Sequence, residues 1–155
     1  MVSLLIIILL PLAGFLVNAL VGKRLPKTVS GVIGSATIFG SFVLSAMLFM
    51  GFLNGSAKAI DVNVYDWIKF GDMDISFGLL ADQLSVMWLM IVTGIGFLIH
   101  VYSIGYMHDD EKFHTFFSYL NLFIFFMLIL VLGNNFLVTF IGWEGVGLCS
   151  YLLIG

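Results

Sequence analysis

The chain has 155 residues, of which 61% are hydrophobic and 10% charged, with a mean hydropathy of +1.16 and a formal net charge of −3. A soluble domain is about 45–50% apolar and about 25% charged, so a globule of this size could not hide these apolar side chains from water. The composition predicts a polytopic protein in contact with the lipid bilayer. The sequence has no Lys- or Arg-rich run to neutralise phosphates, so no nucleic-acid partner is predicted.

Five apolar stretches are long enough, or nearly so, to cross a hydrocarbon core of about 30 Å at about 1.5 Å per residue. They are Val2–Gly22, Val29–Leu53, Leu79–Met107, Phe116–Gly133 and Asn135–Gly155. The sequence therefore predicts an all-α transmembrane bundle of about five spans. Pro11 lies inside the first stretch and is expected to kink it, with a neighbouring helix satisfying the carbonyl that proline frees.

The first loop determines the predicted orientation. Lys23, Arg24 and Lys27 follow the first stretch rather than precede it, which argues against a secretory signal peptide. By the positive-inside rule this loop is cytoplasmic, so the N-terminus is predicted to lie outside. Orientation then alternates along the chain, which makes residues 54–78 external.

The external segment contains a hairpin signal. The stretch "WIKFGDMDISF", Trp67–Phe77, alternates apolar and polar residues on both sides of Gly71-Asp72, a typical two-residue turn. The pairs expected across this turn are Phe70–Met73, Ile68–Ile75 and Lys69–Asp74. We therefore predict a small external β-hairpin, whose apolar face docks either onto helix ends of this chain or onto a neighbouring subunit.

The fifth stretch carries a carboxylate in its middle. In "FIGWEGVGLCSYLLIG", Phe140–Gly155, Glu144 lies about 13 Å from Asn135, near the centre of the hydrocarbon. An ionised carboxylate at that depth costs at least about 2.5–3 kcal/mol. The group must become neutral or acquire a cation and water, and either condition allows proton exchange near neutral pH. Glu144 is therefore the candidate proton relay, and a protonated packing residue is the alternative.

Helical spacing sorts the neighbours of Glu144 onto two faces. Tyr151 is expected to share its face and to offer a hydroxyl, with Gly147 leaving room for water or a side chain. A second face presents small residues that permit close approach of another helix. These are Gly142, Gly145 and Cys149, the cysteine being expected as a structural thiol.

Other polar residues are weaker candidates for a relay or its support. Asp82 suits the N-terminus of the third helix, where an acidic side chain is stabilising. His100, near the inner end of that helix, is either a relay member or a hydrogen-bonded interfacial histidine. The loop histidines and acids match no metal-binding pattern, so no metal site is predicted. They are His108, Asp109, Asp110, Glu111 and His114.

With these residues in view, "FIGWEGVGLCSYLLIG" resembles the fifth-helix signature of chain 5, the largest antiporter-like subunit of respiratory complex I, NADH:quinone oxidoreductase. "ADQLSVMWLMIVTGIGFLIHVYSIGYM" resembles the third helix of that family, and the likeness is continuous from about Asp61 to Gly155. The apolar end at Gly155, which lacks a polar flank, also suggests an N-terminal fragment.

The resemblance implies a role in coupling electron transfer to proton translocation, with Glu144 paired to a lysine on a later helix. It implies no cofactor in this chain, since NADH, FMN, Fe–S clusters and quinone are handled by other subunits. The implied partners are protons, lipid and other membrane subunits of complex I, in a bacterial inner membrane. Cys149 and Tyr151 look more like the bacterial versions.

The resemblance also suggests a division of the chain. Residues 1–60 form the first two transmembrane helices, 61–115 the chain-5 N-terminal-type region, and 116–155 the truncated start of the proton-conducting antiporter-like domain. Three other readings stay open. They are the large subunit of a multisubunit Na⁺/H⁺ antiporter, a membrane hydrogenase subunit, and a non-catalytic scaffold in which Glu144 only packs.

Overall fold

Five α-helices and one β-hairpin make up the part of the chain that the structure describes. The computed structural model describes residues 2–71 and 73–155, without the side chains of Val2, Phe70, Met73 and Asp74. The elements are α1 (Val2–Leu20), a 3₁₀ turn (Gly22–Arg24), α2 (Lys27–Leu53), β1 (Ile60–Phe70), β2 (Met73–Ala81), α3 (Gln83–Tyr106), α4 (Phe113–Leu132) and α5 (Phe136–Ile154). Each α-helix is long and apolar enough to cross a membrane, which confirms the predicted bundle with its small hairpin.

The predicted third span was too long at its start. Its first residues, Leu79–Ala81, belong to β2, and α3 begins only at Gln83. The apolar run is a strand because Leu79 and Ala81 pair across the hairpin with Val62 and Ile60, where three of the four side chains are buried. Hydrophobicity alone could not separate this buried strand from the helix that follows it.

The helices pack so that α4 is the central element. It contacts α1, α2, α3 and α5, while α5 packs mainly on α4. The core between them is formed by fully buried aliphatic side chains, among them Ile7, Ile38, Leu89, Leu128 and Leu132. The Lys27 ammonium donates to the His108 carbonyl at 2.9 Å, which brings the first loop and the α3–α4 loop to one end of the bundle. We call this the basic end and the opposite one the hairpin end.

The carbonyl that Pro11 frees has a partner on another helix, as predicted. Proline cannot donate to the carbonyl four residues earlier, which belongs to Ile7. The Ser41 hydroxyl of α2 donates to that oxygen at 2.9 Å, and α1 continues through Pro11 to Leu20. A side chain of α2 thus completes the backbone hydrogen bonding of α1, as a hydrocarbon environment requires. The expected kink at Pro11 stays a prediction.

The hairpin docks onto the helix ends of its own chain. At its base, Val62, Leu79 and Ala81 are buried, and Leu79 forms a bridge to Gly133 at the end of α4. Two asparagines of the α4–α5 turn also bond to the hairpin. Asn134 Nδ2 donates to the Asp61 carboxylate at 3.0 Å, and Asn135 Nδ2 donates to the Ser76 carbonyl at 2.7 Å. Docking was expected either onto helix ends of this chain or onto a neighbouring subunit. The structure shows docking onto this chain.

The predicted strand register is confirmed. Phe70 pairs with Met73, Ile68 with Ile75 and Lys69 with Asp74. Gly71 has a φ of 58°, which glycine adopts without strain, whereas Asp72, the second residue of the predicted turn, lies outside the described residues. The strands also run farther than the sequence signal, with irregularities at Asn63/Tyr65 and Asp66/Ile68. Lys69 forms an ion pair with Asp66 of its own strand at 2.7 Å.

Cysteine labelling tests the predicted orientation. Lys58→Cys lies at the hairpin end and Glu111→Cys at the basic end, both on exposed positions. A membrane-impermeant maleimide added to intact cells should label the first variant and spare the second, because a basic first loop is retained in the cytoplasm. The native Cys149 is buried and serves as a common background. The reverse pattern would place the N-terminus inside.

Candidate functional site

Glu144 lies near the middle of α5, a helix long and apolar enough to cross a membrane. The helix begins after Asn135, whose side chain accepts a hydrogen bond from the Val138 backbone N–H at 3.0 Å and so caps it. Glu144 is the ninth of the 19 residues of α5, about 12 Å from the first. The cap thus sets the start of the helix and, with it, the depth of the carboxylate.

Small residues determine which face of α5 meets α4. Gly142 and Gly145 are buried against that helix, and so is Cys149, as the stripe predicted. A Cβ on Gly142 would lie 2.5 Å from the backbone nitrogen of Leu130, and one on Gly145 would overlap the Phe126 ring. The α4 backbone therefore comes close only because these positions carry no side chain.

The opposite face of α5 carries Glu144 outward. Glu144 and Gly147 are exposed, and so are Trp143 at 68% and Tyr151 at 72%. Among the described residues, none donates a hydrogen bond to the Glu144 carboxylate or forms an ion pair with it. A carboxylate at this depth needs a polar neighbour. Glu144 therefore lies on a face of α5 that the other described helices leave uncovered.

His100 lies elsewhere, in the interior between α3 and α4. It is fully buried, its Nδ1 lies 2.7 Å from the Gly96 carbonyl oxygen, and its ring meets the edge of the Phe117 ring at a centroid distance of 6.0 Å. Because a carbonyl only accepts, Nδ1 carries the proton. Nε2 is then an acceptor, and it finds no donor among the described residues.

Asp82 caps α3 at the hairpin end. Its carboxylate accepts from the Ser85 backbone N–H at 2.7 Å, while its own backbone N–H donates to Ser85 Oγ at 2.8 Å, a complete capping box. The backbone hydrogen bond from Ser85 lowers the pKa of the Asp82 carboxyl below its usual range. The structure therefore shows Asp82 in the helix-terminal position that its sequence context favours.

The four candidate residues do not form one cluster. Glu144 and Tyr151 share the exposed face of α5, whereas His100 is enclosed on the other side of the bundle and Asp82 lies at a helix end. Their catalytic or relay roles remain predictions. What the sequence reasoning missed is a group of polar side chains between α1, α2 and α4, of which Asn18, Ser30, Ser118 and Asn121 are buried and His114 is half-buried. The i, i+4, i+7 spacing of His114, Ser118 and Asn121 on α4 was the available signal.

The sequence matches one family model and several known proteins. Residues 67–117 match the family model for the N-terminus of NADH-ubiquinone oxidoreductase (complex I) chain 5. The chain is 47% identical over 152 residues, 97% of its length, to NADH-quinone oxidoreductase subunit L of Neisseria meningitidis. It is 42% identical over 148 residues, 96% of its length, to subunit L of Escherichia coli.

The chain is similar to complex I chain 5. A fungal relative, NADH-ubiquinone oxidoreductase chain 5 of Hypocrea jecorina, is 42% identical over 150 residues, 96% of this chain and 21% of that protein. The chain spans 23% of the Neisseria protein and 24% of the Escherichia protein. The resemblance to the chain-5 family is thus confirmed across nearly all of these 155 residues, over about a quarter of its relatives' length.

Two glycines of α5 provide a matched test of the packing. Gly142→Ala should destabilise the bundle by about 1–3 kcal/mol, because the added methyl group overlaps the α4 backbone at Leu130. Gly147→Ala should be neutral or slightly stabilising, since its Cβ meets no atom within 4 Å and alanine favours a helix. Unfolding in mixed detergent micelles measures both. Equal effects would contradict the assignment of faces.

The cap of α3 can be tested separately. Asp82→Ala should cost about 0.5–2 kcal/mol, whereas Asp82→Asn should cost little because it keeps the accepting oxygen. Since the folded pKa of Asp82 is lowered, its contribution is present above the unfolded pKa of about 3.9 and is lost as pH falls through the folded value. Unfolding followed from neutral to acidic pH measures this. If the free energy of unfolding of Asp82→Asn changes with pH as that of the parent does, the proposed contribution of the Asp82 carboxylate is refuted.

Proposed function

We propose that this chain is part of a membrane subunit of proton-translocating NADH:quinone oxidoreductase and that Glu144 is its proton relay. The observation that carries the proposal is the position of Glu144. A carboxylate in the middle of a membrane-spanning helix lies on the face that this chain leaves open, with no partner among the described residues. The names of the subunit L and chain 5 relatives support the same assignment.

The position suits a group that alternates between two protonation states. In hydrocarbon, a carboxylate is stable as the neutral acid, which carries one proton, or as the anion beside a cation. A cation that approaches and withdraws would therefore make Glu144 release and take up a proton in turn. We propose that a lysine on a helix beyond residue 155 is this cation, facing the surface formed by Trp143, Gly147 and Tyr151.

The surrounding residues have supporting roles in this proposal. Gly147 leaves open space beside the carboxylate, where a Cβ would meet no atom within 4 Å, so water can reach it. Tyr151 lies two helical turns away on the same face and can donate its hydroxyl hydrogen to a water or to the anion. His100 and Asp82 are separated from Glu144, so we propose no direct exchange between them.

We also propose the setting in which the subunit works. The subunit would work in a bacterial inner membrane, with its N-terminus outside, beside other membrane subunits of the complex. NADH, FMN, Fe–S clusters and quinone would be bound by other subunits, and this chain would bind no cofactor. Its contribution is to hold and pass protons within the membrane while the free energy comes from electron transfer elsewhere in the complex.

Glu144→Gln is the test of the relay. Glutamine keeps the shape and the hydrogen-bonding capacity of the protonated acid but cannot titrate. In the assembled complex in sealed vesicles, the number of protons pumped per NADH oxidised should fall severalfold. Assembly and electron transfer from NADH to an artificial acceptor should stay near the parent level.

The controls separate a relay from a packing residue. Glu144→Asp retains the acid but withdraws it by one methylene group, so partial pumping is expected. Phe140→Leu alters an exposed position of α5 outside the surface proposed to face the lysine, removes no titratable group and should pump normally. If Glu144→Gln pumps like the parent while Glu144→Ala fails to assemble, the carboxylate packs and does not relay protons.

A further inference from the structure

An apolar groove lies on the surface of the bundle between α2 and α3. It encloses a cavity of about 290 Å³, and its walls include Val32 and Phe39 on α2 and Val101 and Ile104 on α3. Ser35, the polar residue of the lining, donates its hydroxyl to a carbonyl of its own helix at 2.8 Å. The described lining therefore presents hydrocarbon, which suits an apolar occupant. We call this cavity the α2–α3 groove.

The groove opens at the basic end of the bundle, and Lys27 lies at its mouth. Lys27 precedes Val32 by five residues on α2, and His108 follows Ile104 by four residues just after α3. The 2.9 Å hydrogen bond from the Lys27 ammonium to the His108 carbonyl therefore joins the two walls where the groove ends. An ammonium has three N–H donors, so this bond leaves two for another acceptor.

The groove reaches from this mouth to the middle of α2. Phe39, its innermost residue on α2, is the thirteenth of the 27 residues of the helix. It lies about 18 Å beyond Lys27 along the helix axis, slightly more than half of a hydrocarbon core of about 30 Å. The depth of the groove therefore corresponds to one leaflet of the bilayer.

Two aromatic rings close the inner end of the groove. The Phe39 and Phe97 rings lie with their centroids 5.0 Å apart. Phe39 also lines a second cavity, which continues along α2 past Met47 toward the hairpin end. A helix that crossed the membrane on this surface would need an undivided groove, whereas the acyl chain of a lipid needs only the half that lies in its own leaflet.

The positive charge of Lys27 has no carboxylate to balance it. In the part of the chain that the structure describes, no acidic side chain lies within ion-pair distance of the Lys27 ammonium. The first loop, residues 21–26, adds exposed Lys23 and Arg24 and contains no acid. This side of the mouth therefore attracts an anion and repels a cation.

The acids at the basic end belong to the α3–α4 loop. Asp109 lies 3.2 Å from Nδ1 of its neighbour His108, and Asp110 accepts from the Lys112 backbone N–H at 2.6 Å. Glu111 is exposed to solvent. Lys27 contacts this loop through a carbonyl oxygen and not through any of these carboxylates. An anion at the mouth would therefore lie on the side of α2 and the first loop.

An aromatic pair on α3 indicates the level of the lipid headgroups at this end. Tyr102 and Tyr106 lie in the last turns of α3 with their rings stacked at a centroid distance of 5.7 Å. Both are exposed, at 68% and 71%. Exposed tyrosines near the ends of membrane-spanning helices are typical of the interface between hydrocarbon and water. The mouth of the groove therefore lies where lipid phosphates are found.

We propose that the α2–α3 groove binds one acyl chain of an anionic phospholipid whose phosphate is held by Lys27. The acyl chain would lie along Val32 and Val101 and end at Phe39, which would bury apolar surface on both walls. The phosphate oxygens would accept from the ammonium hydrogens that the bond to His108 leaves. A zwitterionic lipid such as phosphatidylcholine also has a phosphate, but Lys23 and Arg24 would repel its choline cation.

Site-specific photocrosslinking tests which lipid lies in the groove. The photoreactive residue p-benzoylphenylalanine is introduced in place of Val32, whose 53% exposure leaves room for a larger side chain at the rim. A second version carries it in place of Met47, which is 67% exposed on the same helix but lines the other cavity. The assembled complex is placed in nanodiscs of equimolar phosphatidylglycerol and phosphatidylcholine with identical acyl chains, and crosslinked lipids are identified by mass spectrometry.

At position 32, phosphatidylglycerol should exceed phosphatidylcholine about fivefold, which is the preference expected from one basic residue at an anionic headgroup. At position 47, the two lipids should crosslink about equally. The proposal is overturned if both positions show the same ratio. It is also overturned if position 32 crosslinks to a polypeptide, because the groove would then be the docking site of another helix.

Two charge-removing variants test the role of Lys27. Lys27→Gln keeps a donor for the His108 carbonyl but removes the charge, so the preference at position 32 should fall by at least about half. Lys58→Gln removes the same charge at the hairpin end and should leave the preference unchanged. A preference that survives in Lys27→Gln would refute the assignment of the phosphate to this residue.

Salt provides a second measurement on the chain with Lys27 intact. Raising the ionic strength from about 0.1 to 1 M shortens the screening length from about 10 to 3 Å, so the preference at position 32 should decrease. A preference that does not respond to salt would contradict a phosphate held by charge at the exposed mouth. None of these readouts measures pumping, so the lipid site and the relay role of Glu144 fail separately.

Discussion

Hydrocarbon offers no hydrogen bonds, and the rest of this structure depends on that constraint. A helix satisfies its own backbone, so the chain crosses the membrane as helices, and the sheet that the structure describes lies at an end of the bundle. Where a helix cannot satisfy itself, another helix does so. The Ser41 hydroxyl donates a hydrogen bond to the Ile7 carbonyl, which Pro11 leaves without a backbone donor. Polar side chains in the bundle are therefore either paired, as Ser41 is, or in need of water or a partner.

Close helix packing decides which polar group faces where. On α5, Gly142 and Gly145 admit the α4 backbone, and this contact turns Glu144 to the opposite side. On α2, Gly34 lets Asn18 and Asn121 come close, since a Cβ there would lie 3.2 and 2.8 Å from their amide nitrogens. In both places a glycine fixes the position of a polar group some distance away, because it determines how two helices approach. The packing of the bundle and its proposed chemistry therefore depend on the same small residues.

The hairpin packs against the α4–α5 turn at the hairpin end of the bundle. It bonds through Asp61 and Ser76 to the two asparagines of the α4–α5 turn, and Asn135 also caps α5. The same residue thus fixes the start of α5, the depth of Glu144 and the contact with the hairpin. A tip with exposed Tyr65 and Trp67 extends beyond this docked base. The sequence predicted the hairpin turn. The buried base of β2 was assigned to the following helix, because a buried strand and a membrane-spanning helix are both apolar.

The sequence by itself determined the number of spans, the hairpin register, the small-residue face of α5 and the mid-membrane depth of Glu144. These follow from local rules of hydrophobic length, two-residue alternation and helical spacing, which need no knowledge of neighbours. Only the tertiary structure decided that α4 is the helix against Gly142 and Gly145, that His100 is enclosed away from Glu144, and that Asn18 and Asn121 meet at Gly34. These residues lie on different helices far apart in the chain, and no periodicity within one helix reports which neighbour it packs against.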